Sequence, residues 1–377
     1  MLNDYMGILN LCENENDIRS LTTNRSIASI PIGSRYRVID FMLSNMVNSG
    51  IINVGIFSQS NSRSLVDHIG TGKPWDLNRK IDGIFLFNHG LDALVNYDSK
   101  LLKNNMEYIY KSRSENVILS SSYMICNLDL TAIVEEHEAS GCDITVVYKK
   151  INEANTDFLN CFTLQVDENN RVTGVGKNIG FISSANICME LFLMKKEILI
   201  DLIYKNVQTS NKGNLYNVIF DSVGDLSLNA YEFKGYVACT NSIHSYYKAN
   251  MDMLDISVST ELFRSKRPVF TKIKDEPPTL YVKGCQVYNS LIADGCIIEG
   301  TVRNSLVSRY VDISKDAVLD NCIILQNCKI KSGTTLSNVI VDKNAEIDEN
   351  TELKGTARFP LVIEKRSFLS DFSGYRR

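Results

Sequence analysis

The feature that most constrains this chain is a repeat of aliphatic residues near its carboxyl end. Within each of three successive sets the aliphatic residues are six positions apart, and each set begins 17 residues after the previous one. The nine positions are Val307, Ile313, Leu319, Ile324, Ile330, Leu336, Val341, Ile347 and Leu353. A six-residue step with three steps per turn is typical of a left-handed parallel β-helix, in which each step forms one flat side of a triangular coil. The repeat therefore predicts a β-helix whose aliphatic residues point inward.

The segments that flank this repeat suggest where the domain begins and ends. A stretch rich in basic, acidic and proline residues, 264–278, is typical of an exposed linker. The ends of a solenoid need covering, so the aromatic and basic tail over 359–377 either covers the last coil or docks on another subunit. We therefore predict a first domain over 1–263, a linker over 264–279, and a left-handed β-helix domain with its tail over 280–377.

The first 263 residues alternate between short runs of β-branched residues and helical patterns. Strands are predicted at 6–11, 54–58, 117–119 and 144–148, and helices at 39–48, 62–68, 91–110 and 130–140. Such alternation predicts a Rossmann-like α/β domain, with a mostly parallel sheet and helices on both faces. Ligands of these sheets bind at the carboxyl ends of the strands, so we expect a ligand near the loop after Leu11.

The composition argues against several kinds of partner. The net charge of −4 and the isoelectric point of about 5.7 lack the basic excess of a nucleic-acid-binding protein. No apolar run approaches the roughly 20 residues that span a bilayer, and the amino terminus lacks the basic region of a signal peptide. The ten cysteines are dispersed, with no Cys-x-x-Cys pair, which favours reduced thiols over disulfides or zinc. The sequence predicts a cytoplasmic protein that binds neither nucleic acid nor membrane.

A dense motif lies between residues 35 and 51. It contains the run Arg-Tyr-Arg-Val-Ile-Asp-Phe, followed by Leu-Ser-Asn and then Asn-Ser-Gly-Ile. The loop before it, after the first predicted strand, contains no glycine and carries Glu13, Glu15 and Asp17. With the β-helix, this motif resembles the sugar-1-phosphate nucleotidyltransferases, and within them the ADP-glucose pyrophosphorylase family. More narrowly, the whole chain resembles the GlgD-type regulatory subunits of that family in bacterial glycogen synthesis.

This resemblance implies a reaction and a set of residues that perform it. The family's enzymes convert ATP and glucose-1-phosphate to ADP-glucose and pyrophosphate, which requires positioning and charge neutralisation. They use a glycine-rich loop, a lysine and two metal-binding aspartates. Here the loop is acidic, Ile27 stands at the lysine, and Ser122 and Cys239 stand at the two aspartates. The chain is therefore predicted to be catalytically degenerate, with no cofactor for a reaction of its own and with Mg²⁺ left to a catalytic partner.

Two binding functions remain by the same resemblance. Lys177 matches a lysine that touches the sugar phosphate, the alternative being a solvated surface lysine. Arg35, Arg37 and Arg309 match a regulatory site for phosphorylated metabolites, with Arg63 where the family has a histidine. Arginine suits such a site because its planar fork binds two phosphate oxygens. The alternative is that Arg35 and Arg37 form structural ion pairs.

These features favour a regulatory subunit that modulates a catalytic ADP-glucose pyrophosphorylase subunit within a heterotetramer. Such modulation requires contacts that differ between two states of the partner. The second hypothesis is an active nucleotidyltransferase with a diverged nucleotide loop, which would make ADP-glucose by itself. The third is a hexapeptide acyltransferase. Those enzymes usually place a histidine base between coils, whereas all four histidines here precede the β-helix.

Overall fold

The computed structural model describes residues 2–58, 62–88, 98–208 and 214–365. These residues form two compact units, each built from separate stretches of chain. The first unit comprises 1–13, 39–239 and 265–270, and the second comprises 14–38, 240–264 and 271–377. The boundaries at 263 and 279 stay a prediction about the folding domains. The helix predicted over 91–110 and the tail over 359–377 lie partly outside the described residues.

The elements before the β-helix follow the expected alternation. The strands are β1 (Tyr5–Leu11), β2 (Pro31–Ile32), β3 (Tyr36–Arg37), β4 (Asn53–Ser58), β5 (Gly83–Asn88), β6 (Asn116–Ser120), β7 (Met124–Ile125), β8 (Ile144–Ile151), β9 (Phe162–Val166), β10 (Val172–Lys177), β11 (Ala185–Lys195), β12 (Leu228–Glu232) and β13 (Ala238–Cys239). The helices are α1 (Arg19–Thr22), α2 (Val38–Asn48), α3 (Arg63–Ile69), α4 (Asp98–Asn104), α5 (Met106–Lys111), α6 (Leu130–Ser140), α7 (Lys196–Gln208), α8 (Leu215–Asp221), α9 (Ile243–Asp252) and α10 (Ile256–Phe263).

A nine-stranded sheet forms the centre of the first unit. Its main path runs β10-β9-β11-β6-β1-β4-β5, and β8 joins β11 to β12. The pairs among β6, β1, β4 and β5 are parallel, as predicted, whereas β11 runs antiparallel to its neighbours β6, β8 and β9. The sheet is therefore mixed, with a parallel half that places the carboxyl ends of β1 and β6 side by side. Apolar residues of α4, α5, α7 and α8 pack with the strands in one core.

Buried polar groups fix the helix α2 and the start of α6 in the first unit. Asn45 on α2 donates from Nδ2 to the Cys126 carbonyl (3.1 Å) and accepts from the Leu128 amide (3.2 Å). The side chain of Asp129 caps α6 by accepting from the Thr131 amide at 3.0 Å. The Leu-Ser-Asn part of the sequence motif thus has a structural task, which is to hold the segment that follows β6.

The carboxyl-terminal part is the predicted left-handed β-helix. Its strands are β14 (Leu280–Tyr281), β15 (Gln286–Tyr288), β16 (Leu291–Ile292), β17 (Ile297–Ile298), β18 (Thr301–Arg303), β19 (Leu306–Val307), β20 (Asp312–Ile313), β21 (Val318–Asp320), β22 (Ile323–Ile324), β23 (Lys329–Ile330), β24 (Thr335–Ser337), β25 (Val339–Val341), β26 (Glu346–Ile347), β27 (Glu352–Lys354) and β28 (Leu361–Ile363). They form three parallel five-stranded sheets, one for each side of the prism. Eight of the nine repeat positions are buried in one core, and Leu353 is partly buried against it.

Asparagine residues turn the corners of this coil. Asn321, Asn327, Asn338 and Asn344 all adopt positive φ angles, between 51° and 60°. Asparagine tolerates this left-handed conformation better than most residues. Side chains on successive coils also bond to each other, as Asn327 Nδ2 does to Asn344 Oδ1 at 3.1 Å. These asparagines recur at the same 17-residue interval as the aliphatic residues, a signal that would have strengthened the prediction.

Most of the segment predicted as an exposed linker, 264–278, is exposed, and contacts hold its two parts to different units. Its first part, 265–270, belongs to the first unit, where Asn48 Nδ2 donates to the Pro268 carbonyl at 2.9 Å. Its second part belongs to the second unit, where the side chain of Glu276 is buried and pairs with Arg309. The charged and proline-rich composition indicated solvent exposure, which most of the segment has. It could not indicate the contacts of Pro268 with Asn48 and of Glu276 with Arg309, because these partners are distant in sequence.

Candidate functional site

The carboxyl ends of β1 and β6 bring together two positions that the sequence singled out. Glu13 follows β1 and Ser122 follows β6, and these strands are parallel neighbours in the first unit. Glu13 Oε1 accepts from both the amide nitrogen and the hydroxyl of Ser122, each at 2.8 Å. Burial raises the pKa of the Glu13 carboxyl, and the two Ser122 donors oppose that rise. The acidic loop thus bonds to the position where the family has a metal-binding aspartate.

A second carboxyl, which the sequence argument missed, lies in the same region of the first unit. Glu190 on β11 is 6% exposed and has a positive φ of 50°. Its Oε1 accepts from the Tyr123 hydroxyl at 2.8 Å. Burial raises the pKa of Glu190 to about 7, Glu13 adds to the rise, and the Tyr123 hydrogen bond opposes it. A lone acid inside the apolar run over 187–194 was the available signal.

Cys239 lies in the strand β13, which pairs antiparallel with β7. Its thiol hydrogen-bonds the thiol of Cys161, an interaction that, together with burial, holds the pKa of Cys161 well above its usual range. Both residues are buried, and none of the ten cysteines, all of which the structure describes, forms a disulfide. Protonated thiols are poor ligands for Mg²⁺, which prefers oxygen. The donors at Ser122 and Cys239 therefore do not fit the metal ion that the family's reaction uses.

The other two positions that the family resemblance singled out carry little catalytic potential. Ile27, in the second unit, is fully buried and its amide donates to Glu15 Oε1 at 3.1 Å. Lys177, in the first unit, is exposed at the end of β10, with Nζ 5.7 Å from the ring centroid of Phe162. Its charge acts on Glu190, whose pKa it lowers slightly. Among these residues, Lys177 alone offers a cation to a sugar phosphate, and that role stays a prediction.

The four predicted regulatory arginines are divided between the two units, and their joint role stays a prediction. Arg63 lies in the first unit, exposed at the start of α3, whereas Arg35, Arg37 and Arg309 lie in the second. Arg35 is exposed, and Arg37 Nη1 donates to the Ser29 carbonyl at 2.6 Å. Arg309 Nε lies 2.9 Å from Glu276 Oε2 in a buried ion pair. Arg309 is thus partly neutralised, so its structural task is better supported than direct anion binding.

Three cations missed by the sequence argument accompany Arg37 in the second unit. Arg25 Nη2 donates to both carboxylate oxygens of Asp342, each at 2.8 Å. Burial, together with the nearby guanidinium groups of Arg37 and Arg25, lowers the pKa of Lys343 to about 6. Partial burial also lowers the pKa of Lys274, an effect that Arg309 and Arg37 enhance and Glu276 opposes. We call Arg25, Arg37, Lys274 and Lys343 the cationic cluster.

The cationic cluster carries more positive charge than its acids neutralise. The carboxylates that act on Lys343 and Lys274 are those of Asp342 and Glu276, which already pair with Arg25 and Arg309. Like charges held this close in a partly buried setting repel each other, and a bound anion would relieve that repulsion.

None of the helices in the described ranges has both the length and the apolar character that a membrane-spanning helix needs.

Comparison with known proteins gives a consistent picture. The nucleotidyl transferase family model matches residues 17–158, and the GlmU-like, C-terminal hexapeptide model matches residues 279–356. The glycogen biosynthesis protein GlgD of Bacillus subtilis (strain 168) is 34% identical over 372 residues, which cover 96% of both chains. The protein of that name from Geobacillus stearothermophilus is 37% identical over 97% of both. A glucose-1-phosphate adenylyltransferase of Mycoplasma mobile is 27% identical over 81% of both.

Proposed function

Because this chain belongs to the GlgD family of glycogen biosynthesis proteins, which is related to the glucose-1-phosphate adenylyltransferases, we propose that it is a regulatory subunit of such an enzyme. In this proposal the chain does not catalyse the reaction itself. It binds a catalytic subunit, in a heterotetramer in the cytoplasm, and changes that subunit's rate and its response to metabolites. The observation that carries the proposal is the pair of hydrogen bonds from Ser122 to Glu13.

The chemistry of the reaction explains why this observation matters. Transfer of a nucleotidyl group requires cations and backbone donors around the triphosphate, and a metal ion that neutralises the developing charge. Here a carboxylate already accepts from the Ser122 amide, and it would repel a phosphate brought to the same place. Mg²⁺ would therefore belong to the catalytic partner, and this chain would need no cofactor.

Regulation of the partner is tested by measuring ADP-glucose formation from ATP and glucose-1-phosphate in three samples: this chain, its catalytic partner, and the two mixed. We expect no detectable product from this chain alone. The mixture should differ from the partner alone in its maximal rate or in its response to phosphorylated metabolites. An equimolar unrelated protein in place of this chain controls for non-specific stabilisation. A mixture with both the partner's own rate and the partner's own response to metabolites would contradict the proposal.

We further propose that the cationic cluster is the regulatory anion site of this subunit. It replaces the predicted set of arginines in part, because it retains Arg37 and adds Arg25, Lys274 and Lys343. The ligand would be a phosphorylated metabolite or inorganic phosphate. Support comes from the low pKa of Lys343. Burial, and after it the charges of Arg37 and Arg25, favour the neutral lysine, whereas a bound anion would favour the charged one.

Anion binding should weaken as the pH rises above about 6, the pKa of Lys343. Below that pH the lysine is already charged, whereas above it the anion must draw a proton onto the amine. Sulfate is the suitable probe, because its own charge is constant between pH 5.5 and pH 8.5. Titration calorimetry should show tighter sulfate binding at pH 6 than at pH 8, and roughly tenfold weaker binding for Lys343→Ala.

The matched control for this titration is Lys331→Ala. Lys331 is also on the β-helix, but it is exposed and pairs with Glu346 and Asp348. Its substitution should leave sulfate binding unchanged. Equal loss of binding in both variants, or a sulfate affinity that does not depend on pH, would rule out the cationic cluster as the site.

A further inference from the structure

The first unit has a cleft at the edge of its sheet, away from the carboxyl ends of β1 and β6. In the described part of the chain, the edge strand β5 pairs with β4 alone. Between β5 and the helix α5 lies a cleft of about 530 Å³, within the ~300–1,000 Å³ range of small-molecule sites. Residues that define this edge cleft include Asp82, Phe85, Phe87, Asn104, Tyr108 and Arg113.

The floor of the edge cleft is an aromatic platform. The ring centroid of Tyr108 lies 5.1 Å from that of Phe85 and 5.0 Å from that of Phe87. Phe85 is 42% exposed, so its ring remains available to a ligand. Aromatic faces carry partial negative charge and attract polarised C–H groups as well as other rings. A ligand with one apolar face would therefore stack on this floor.

The platform is held rigidly by the strands behind it. The Tyr108 hydroxyl donates to Asn53 Oδ1 at 2.7 Å, and Asn53 Nδ2 donates to the Ser112 hydroxyl at 3.1 Å. Gly55 on β4 leaves room for the ring, because a Cβ there would lie 2.6 Å from Tyr108 Cε1. The rings are thus fixed before any ligand arrives, which lowers the entropic cost of binding.

The rim of the edge cleft is polar and its charges cancel. Glu107 and Lys111 pair with each other across one turn of α5, at 2.5 Å. Asp82 and Arg113 supply one further charge of each sign, and no hydrogen bond or ion pair joins either side chain to another described residue. A carboxylate accepts from hydroxyls and a guanidinium donates to them. This balance favours a neutral, hydroxyl-rich ligand, whereas a phosphorylated ligand needs an excess of cations like that of the cationic cluster.

We propose that the edge cleft binds a glucose-based oligosaccharide, with a pyranose ring stacked on Phe85, the Tyr108 ring tilted by 50° beside it, and the sugar hydroxyls on Asp82 and Arg113. A sugar ring combines an apolar C–H face with hydroxyls that both donate and accept, which matches the platform and the rim. The choice of an α-1,4-linked glucan, the main chain of glycogen, rests on the proposed function. The site would bring the regulatory subunit to the polymer that its pathway extends.

The test is titration of the full chain alone with maltoheptaose, cellohexaose and AMP, together with electrophoresis in gels that contain glycogen. We expect saturable binding of maltoheptaose and retardation by glycogen, with weaker binding of the other two ligands. Phe85→Ala should weaken binding roughly tenfold, the loss of one stacking platform. Asp82→Asn should also weaken it while preserving the shape of the rim. The control is Phe359→Ala, since Phe359 is 74% exposed on the other unit.

Three results would overturn this inference: no saturation by maltoheptaose, full binding by both Phe85→Ala and Asp82→Asn, or tighter binding of AMP or cellohexaose. The measurement uses this chain without its catalytic partner. Glucan binding by a chain that changes neither the partner's rate nor its response to metabolites would support the edge cleft and reject the regulatory role. A chain that regulates its partner but binds no glucan would support the regulatory role and reject the edge cleft as a glucan site.

Discussion

Replacing Asp342 with alanine is expected to lower the free energy of unfolding by about 3–5 kcal/mol. The carboxylate receives both hydrogen bonds from Arg25, and the two side chains are 5% and 4% exposed. Removing it leaves a buried guanidinium without its partner. Arg37, another member of the cationic cluster, would add repulsion at the same place. Breaking one side of a buried ion pair costs far more than breaking an exposed one.

Urea unfolding of the wild-type chain and of Asp342→Ala measures this difference, provided that the slope of the transition is unchanged. Asp348→Ala is the matched control. Like Asp342, Asp348 pairs with a basic side chain, that of Lys331, but it is largely exposed. That variant should lose less than about 1 kcal/mol. Asp342→Asn keeps the shape and removes the charge, so it should resemble the alanine variant. Similar small losses for all three variants would show that the ion pair is not an important contact.

The variant Glu190→Gln is expected to be more stable than the wild-type chain at alkaline pH and about equal at pH 5. Its carboxyl has a pKa of about 7 in the folded chain, against 4.5 for an ordinary glutamate. Since the folded pKa is raised, the stability linked to the bound proton is present below pH 4.5 and is lost as the pH rises through 7. Glutamine is neutral throughout and can still accept from the Tyr123 hydroxyl.

The size of this effect follows from the two pKa values. A rise from 4.5 to about 7 corresponds to roughly 3 kcal/mol once the carboxyl is fully ionised. Unfolding by urea at pH 5, 7 and 8.5 should show a gap between Glu190→Gln and wild type that widens with pH. Glu135→Gln, on the exposed face of α6, is the control and should show no such trend. A variant that is less stable than wild type at pH 8.5 would contradict the claim that ionised Glu190 destabilises the folded chain.

The sequence predicted the elements of this fold well where a single physical rule determines them. Aliphatic residues such as Val307 and Ile313 recur every six positions, and in a β-helix this step places one of them inward on each side of the coil. The β-helix could therefore be predicted from the repeat alone. The parallel half of the sheet followed from the alternation of strands and helices. The antiparallel insertion of β11 did not, because a fully buried strand reads as the same apolar run in either direction.

The candidate sites were predicted less completely, because their partners are distant in sequence. Arg25 and Asp342 are 317 positions apart, so no local pattern connects them. The same holds for Glu190, whose meaning depends on Tyr123 and Glu13. The family resemblance predicted the loss of metal ligands at Ser122 and Cys239, but it did not show that Glu13 bonds to Ser122. Arg309 was chosen for its type and position, and nothing in the sequence indicated that it lies buried beside Glu276.

The measurement that tests the central claim most directly is ADP-glucose formation by a mixed complex in which the catalytic partner has lost a metal-binding aspartate. In that complex, only this chain could turn over ATP and glucose-1-phosphate. Because Glu13 bonds to Ser122 where a metal ligand would stand, we predict no product above background, although the complex still assembles. Sustained ADP-glucose formation that disappears in the Glu13→Gln variant of this chain would contradict the account and identify this site as an active one.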